Sequence, residues 1–135
     1  MGIKKVYYLG YPDGELRNNI YHKVDSDIEK ILKDLKPQTL LTYELRGISG
    51  HIDHIFTAIV VSFLYRKLKF IKKIYYFAEF KVVSWVMKNY FIYFPDGYSE
   101  KEVDHVENIK KVMDKKTEAV KAHKSQKKGW CNDNK

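Results

Sequence analysis

Apolar residues along this chain fall into short continuous runs and helically spaced sets, separated by turn residues. Residues 6–9 ("VYYL") form a short apolar run that stops at Gly10, and "YPDGE" follows with turn chemistry, so a buried strand and a turn are expected. Ile28, Ile31, Leu32 and Leu35 then share one helical face. Asp25 or Ser26 can cap that helix, with Glu29 close behind, and Pro37 stops it. "TLLTY" (Thr39–Tyr43) reads as a second strand and "ELRGISG" as the loop after it. A second helix is expected over 51–68, with Ile55, Ile59 and Phe63 facing inward, and a third strand over 72–80. "KVVSWVMKNYFIYF" (81–94) fits helix and β structure equally. Pro95, Asp96 and Gly97 mark a turn, and a lysine-rich region from Ser99 becomes helical over 106–123. No repeat or low-complexity linker is present.

Strands alternating with helices imply an α/β fold, a three-layer Rossmann-like arrangement on a mostly parallel sheet. Sites in such folds lie beyond the carboxyl ends of the strands. "GYPDGE" and "GISGHIDH" both follow strands at that end, which puts the two loops on one rim.

Composition narrows the picture only a little. At 135 residues the chain is one domain or part of one, and its 44% hydrophobic content can build a core. The net charge of +8 rests on lysine, because Arg17, Arg46 and Arg66 are the only arginines. A specific nucleic-acid site usually draws on arginine forks, so no specific nucleic-acid partner is expected. Cys131 is the single cysteine, which rules out an internal disulfide. No signal peptide is visible, and the longest apolar run (55–65) is broken by Thr57 and Ser62 and too short for a bilayer. A cytoplasmic protein without a transmembrane segment is the expectation.

The chemistry concentrates in "GISGHIDH". At a helix start, His51 and His54 lie three positions apart and share a face, so both imidazoles can address one ligand. Gly47 and Gly50 would let the backbone approach a substrate. On spacing alone, capping and surface histidines are the stronger reading of HxxH. For Asp13, a plain turn residue before Gly14 and a binding residue are both open.

The surrounding residues form an ordered pattern. "GIKKVYYLGYPDGEL", "KPQTLLTY", "GISGHIDHIFTA" and "KKTEAVKAHKSQ" together resemble the PIG-L/LmbE-type zinc-dependent N-deacetylases, which remove the acetyl group from N-acetylglucosaminyl substrates. The resemblance runs from Gly2 to about Gln126, the C-terminal portion of such a domain, with 127–135 as a polar tail. It implies that His54 is a zinc ligand and that His51 polarises the amide oxygen and protonates the leaving amine. It implies too that Asp53 hydrogen-bonds His51 and sets its protonation state, and that Asp13 contacts sugar hydroxyls. His123, Ser125 and Gln126 are carried as family signature only.

The chain departs from the pattern at Ile52, where relatives often have proline, and at Ser49, where some have tyrosine. More important, the family's A-H-P-D-D-E strand end, which holds two zinc ligands and the general base, does not occur in these 135 residues. "GYPDGE" is not a decayed copy, because relatives carry "LGYPDGEL" separately and downstream. The expectation is an incomplete zinc site and a truncated, inactive form: a shortened gene, a late start, or a split protein. The strands at 6–9 and Thr39–Tyr43 are then expected to lack a neighbour, giving self-association or dependence on a complementing chain. Two rivals stand beside this reading: a non-catalytic binding or scaffold protein derived from the family, and a basic nucleic-acid-binding α/β module.

Overall fold

The computed structural model describes residues 2–89 and 93–123. The chain divides into two compact units, residues 8–103 and residues 1–7 with 104–135.

Within the first unit, α1 (Tyr21–Leu35) is amphipathic and places Val24 and Leu32 in the core. It begins five residues or so before the anticipated cap, at Tyr21 after a 3₁₀ turn, and neither Asp25 nor Ser26 caps it. Propensity runs through those residues without a break, so the chain stays helical up to that turn. Its end is as anticipated. Lys36 adopts φ 46°, its N–H bonds Leu32 O, and Pro37 forbids continuation.

Strand β1 (Thr39–Tyr43) occupies the expected residues and pairs in parallel with β2 (Lys73–Phe77), with Leu41 opposite Tyr75 and Tyr43 opposite Phe77. Parallel neighbours need a crossover, and α3 (Ile52–Lys67) supplies it. Strand β1 thus has the neighbour that it was expected to lack. Residues 6–9 are the opposite case. They are not a strand, they pair with none among the described residues, and Val6 and Tyr8 are exposed. A single extended segment cannot satisfy its own N–H and C=O groups, so an apolar run without a ladder partner stays irregular. One sheet face, with Leu41, Tyr75 and Phe77, is exposed. On the other face Tyr76 reaches α3, its hydroxyl 2.8 Å from Ser62 Oγ.

The core lies between α1 and α3: Val24 and Leu32 meet Phe56, Val60 and Leu64, closed by Leu68 and Ile71. The tilted rings of Tyr21 and Phe56, 5.0 Å apart, extend it. Helix α3 is in place, but its buried face is one residue out of register with expectation. Phe56, Val60 and Leu64 are inside, while Ile59 and Phe63 are exposed and Ile55 is half-buried. The run "IFTAIVVSFLY" has apolar residues on every side of the helix despite Thr57 and Ser62, so no period marks the inner face. The ambiguous 81–94 stretch starts as a helix, α4 (Lys81–Met87), with Ser84 buried; residues 90–92 lie outside the described residues.

In the second unit, a 3₁₀ turn (Lys110–Val112) leads into α5 (Met113–Ala122), which begins later than the expected residue 106. Lys5 Nζ sits 4.5 Å from the centre of the Tyr7 ring. Ser125, Gln126 and the 127–135 tail lie outside the described residues. No helix among the described residues is long and apolar enough to cross a membrane.

Candidate functional site

The site grows from the carboxyl end of β1. The chain leaves the sheet at Glu44, makes one distorted turn (α2, Gly47–Gly50), and enters α3 through His51. Three residues of this loop have positive φ: Gly47 at 70°, Ile48 at 64° and Gly50 at 76°. Glycine is needed at both glycine positions. A Cβ on Gly47 would stand 2.7 Å from Ile55 Cγ1, and one on Gly50 would stand 2.9 Å from the Tyr93 carbonyl oxygen. What these glycines admit is the chain's own backbone and side chains. Ile48, with ψ −62°, is the anomaly, because a β-branched residue there is strained.

Glu44 holds that loop. Its carboxylate is buried and accepts from Ile48 N at 2.7 Å, Arg46 N at 2.8 Å, the Tyr98 hydroxyl at 3.0 Å and Arg46 Nε at 3.3 Å. Burial pushes its pKa up, but the two backbone N–H groups, the Tyr98 hydroxyl and the Arg46 side chain outweigh that and hold it below the usual glutamate value. The Arg46 guanidinium lies over the Tyr98 ring, 4.2 Å from its centre. Sequence reasoning missed Glu44, Arg46 and Tyr98. The available signal was an acid directly after a buried strand and directly before a glycine-rich loop.

His51 is the N-cap of α3, and its Nδ1 accepts from the Asp53 backbone N–H at 3.2 Å. An amide N–H can only donate, so Nδ1 carries no proton and neutral His51 has its hydrogen on Nε2. His54 is the reverse. Its Nδ1 lies 3.1 Å from Gly47 O, and a carbonyl can only accept, so Nδ1 carries a proton and, in the neutral ring, Nε2 keeps the lone pair. The His54 ring stacks on Tyr43 at 4.0 Å and lies 4.9 Å from the His51 ring. The cap and the pair are therefore the same residues: His51 caps a helix and still faces its neighbour.

The Asp53 carboxylate is buried, and its oxygens accept from Gly14 N at 2.7 Å and Leu16 N at 3.2 Å. It ties the "PDGEL" turn to the histidine pair, and so the two loops share one rim. Asp13 is exposed in that turn, one residue before Gly14. A cleft of about 770 Å³ opens beside them, with Gly14, Arg46, His51, Asp53, Tyr93 and Pro95 in its wall. Its surface is mostly apolar with a few polar groups, the usual make-up of a small-molecule site.

Among the described residues a zinc ion would find one prepared donor here, the unprotonated Nε2 of neutral His54. Among the described residues no group of three or more His, Cys, Asp or Glu side chains could hold a metal. A catalytic zinc takes three protein ligands, and the described residues do not bring three such side chains together.

Residues 1–64 match the family model described as PIG-L: GlcNAc-PI de-N-acetylase. The match takes in the "YPDGE" turn, β1 and the whole of "GISGHIDH", and it supports the PIG-L/LmbE resemblance on residues that build the cleft. The late "KKTEAVKAHKSQ" lies beyond it. No curated protein and no solved structure matches the chain.

Proposed function

We propose that residues 44–54 and the 13–16 turn form the acid-and-ligand side of a zinc-dependent N-deacetylase site acting on an N-acetylglucosaminyl substrate. The observation that carries this reading is the opposed wiring of the two histidines, both within the stretch that matches the deacetylase family model and beside a cleft that Tyr93 and Pro95 complete from outside it. His54 offers a lone pair at Nε2, the form in which imidazole binds a metal. The Gly47 carbonyl on its other nitrogen is the kind of outer partner that orients a metal-bound histidine.

Zinc, when bound in a complete site, supplies an activated water and polarises the acetyl carbonyl. The residues of this chain do the rest. His51 directs Nε2–H at the developing oxyanion, and as it passes that proton to the leaving amine it takes up in exchange the proton that the general base removes from the water. Asp53 holds the 13–16 turn against the histidines, and Asp13 next to it contacts the sugar hydroxyls. The general base and the remaining ligands come from outside these 135 residues, since A-H-P-D-D-E is not among them. By itself the chain is inactive, and it works with a complementing segment or chain.

The absence of that motif from these residues also favours a second reading, a non-catalytic binding protein of the same descent. Complementation separates the two. The chain is co-expressed with a segment that carries the A-H-P-D-D-E strand, and free amine is measured from an N-acetylglucosaminyl conjugate. Turnover that His51→Ala reduces by about 10²–10⁴ supports the enzyme. A stable complex that binds the sugar without turnover supports the binding protein.

A further inference from the structure

We infer that Glu44 is a positioning residue that selects the tautomer of His54, acting through the backbone of residues 46–48. The sequence reading gave it no role, and the family match names no residue.

The geometry forms a short chain of contacts. Glu44 Oε1 takes the N–H of Ile48 at 2.7 Å and Oε2 takes the N–H of Arg46 at 2.8 Å. The Glu44 carbonyl oxygen takes the N–H of Gly47 at 2.9 Å. Three successive amides are therefore fastened to one residue. Ile48 is held in a conformation that isoleucine avoids, φ 64° with ψ −62°, and two charge-assisted bonds to a buried carboxylate supply the restraint. Tyr98 Oη and Arg46 Nε fill the rest of Oε2 and fix the carboxylate itself. In the loop so held, the Gly47 carbonyl points at His54 Nδ1, 3.1 Å away. That bond forces the proton onto Nδ1 and leaves Nε2 bare. A glutamine at 44 keeps one oxygen but turns an NH₂ group towards one of the amides, so it cannot hold both.

The functional meaning of this device rests on the deacetylase reading, in which His54 Nε2 is the metal-binding atom. The tautomer itself is readable with neither zinc nor substrate.

The test is long-range ¹H–¹⁵N spectroscopy of histidine-labelled chain at neutral pH, on wild type and Glu44→Gln. In the wild type, His54 should be the Nδ1–H form and His51 the Nε2–H form. In Glu44→Gln, the His54 ratio of Nδ1–H to Nε2–H should fall by about fivefold, the equivalent of one neutral hydrogen bond lost. His51 should not change, because its partner is the Asp53 amide. A folded Glu44→Gln with the wild-type His54 ratio overturns the inference, as does a wild-type His54 without the Nδ1–H preference. If Glu44→Gln does not fold, the same comparison is made on the Ile48→Gly background, where glycine takes the positive φ without strain. An unchanged ratio there overturns the inference equally. A lost tautomer preference in a chain that complementation never makes active supports the role of Glu44 and counts against the deacetylase reading.

Discussion

Asp53 Oδ2 accepts the backbone N–H of Gly14 at 2.7 Å, a bond across 39 positions of sequence that brings the first turn to the histidine helix. The companion bond from Leu16 N to Oδ1, at 3.2 Å, makes the carboxylate a clamp for both ends of the turn. Asp53→Ala removes both acceptors and should cost about 1–3 kcal/mol, and Asp53→Asn, which keeps one oxygen, should cost less. Urea unfolding gives the magnitude, and amide exchange at Gly14 and Leu16 gives the location. Protection at those two amides that survives Asp53→Ala would show that the turn is held by something else.

Glu44 makes stability depend on pH in a defined direction. Its pKa is lower in the folded chain than in the unfolded one, so its contribution is complete above the unfolded value and disappears as pH falls through the folded value. Wild-type stability should therefore drop more steeply on the acid side than that of Glu44→Gln. Asp27, Glu29 and Glu102 are lowered too, by bonds from Tyr11, Lys67 and Ser99 respectively, but they remain in both proteins and cancel. Thermal unfolding from neutral to acid pH measures the difference. Parallel curves would mean that the buried carboxylate is not ionised in the fold.

Gly47→Ala should destabilise by about 1–3 kcal/mol, because alanine must take a positive φ and its Cβ meets both Ile55 Cγ1 and Ile55 N. Chemical unfolding checks this. A neutral result would place the loop further from α3 than 2.7 Å allows.

How much of this was readable in the sequence varies from element to element. Strand β1 was legible to the residue, because a short β-prone run bounded by Pro37 and a glycine loop has few alternatives. The extent of α3 was legible too, but its inner face was not, since apolar residues on every side of the helix leave no phase. The strand at 6–9 failed because pairing is decided by a partner that local sequence does not contain. At the site, "GISGHIDH" announced the histidine pair; the shared rim was expected from two strands, one of which does not form, and it is the Asp53 carboxylate that joins the loops. What stayed hidden was the wiring. Asp53 reaches His51 by its backbone amide and reaches Gly14 and Leu16 by its carboxylate. Side-chain direction at a helix N-terminus depends on loops 37 or more residues away, and spacing holds no record of them.

The two histidines should also differ towards metal. In a complemented site, the proposed roles predict that His54→Ala abolishes zinc binding, by removing a direct ligand, while His51→Ala leaves zinc in place. Calorimetric titration of both variants decides this. Equal losses would mean that the rings have exchanged roles or act together.

The measurement that bears most directly on the central claim uses residues 1–135 alone. The chain is supplied with zinc and an N-acetylglucosaminyl conjugate, and free amine and bound metal are determined on the same sample. With His54 as the one prepared donor among the described residues and three protein ligands the norm for a catalytic zinc, weak metal retention and no turnover are expected. Tight stoichiometric zinc with steady release of amine would contradict it, and would mean that these residues hold a complete site.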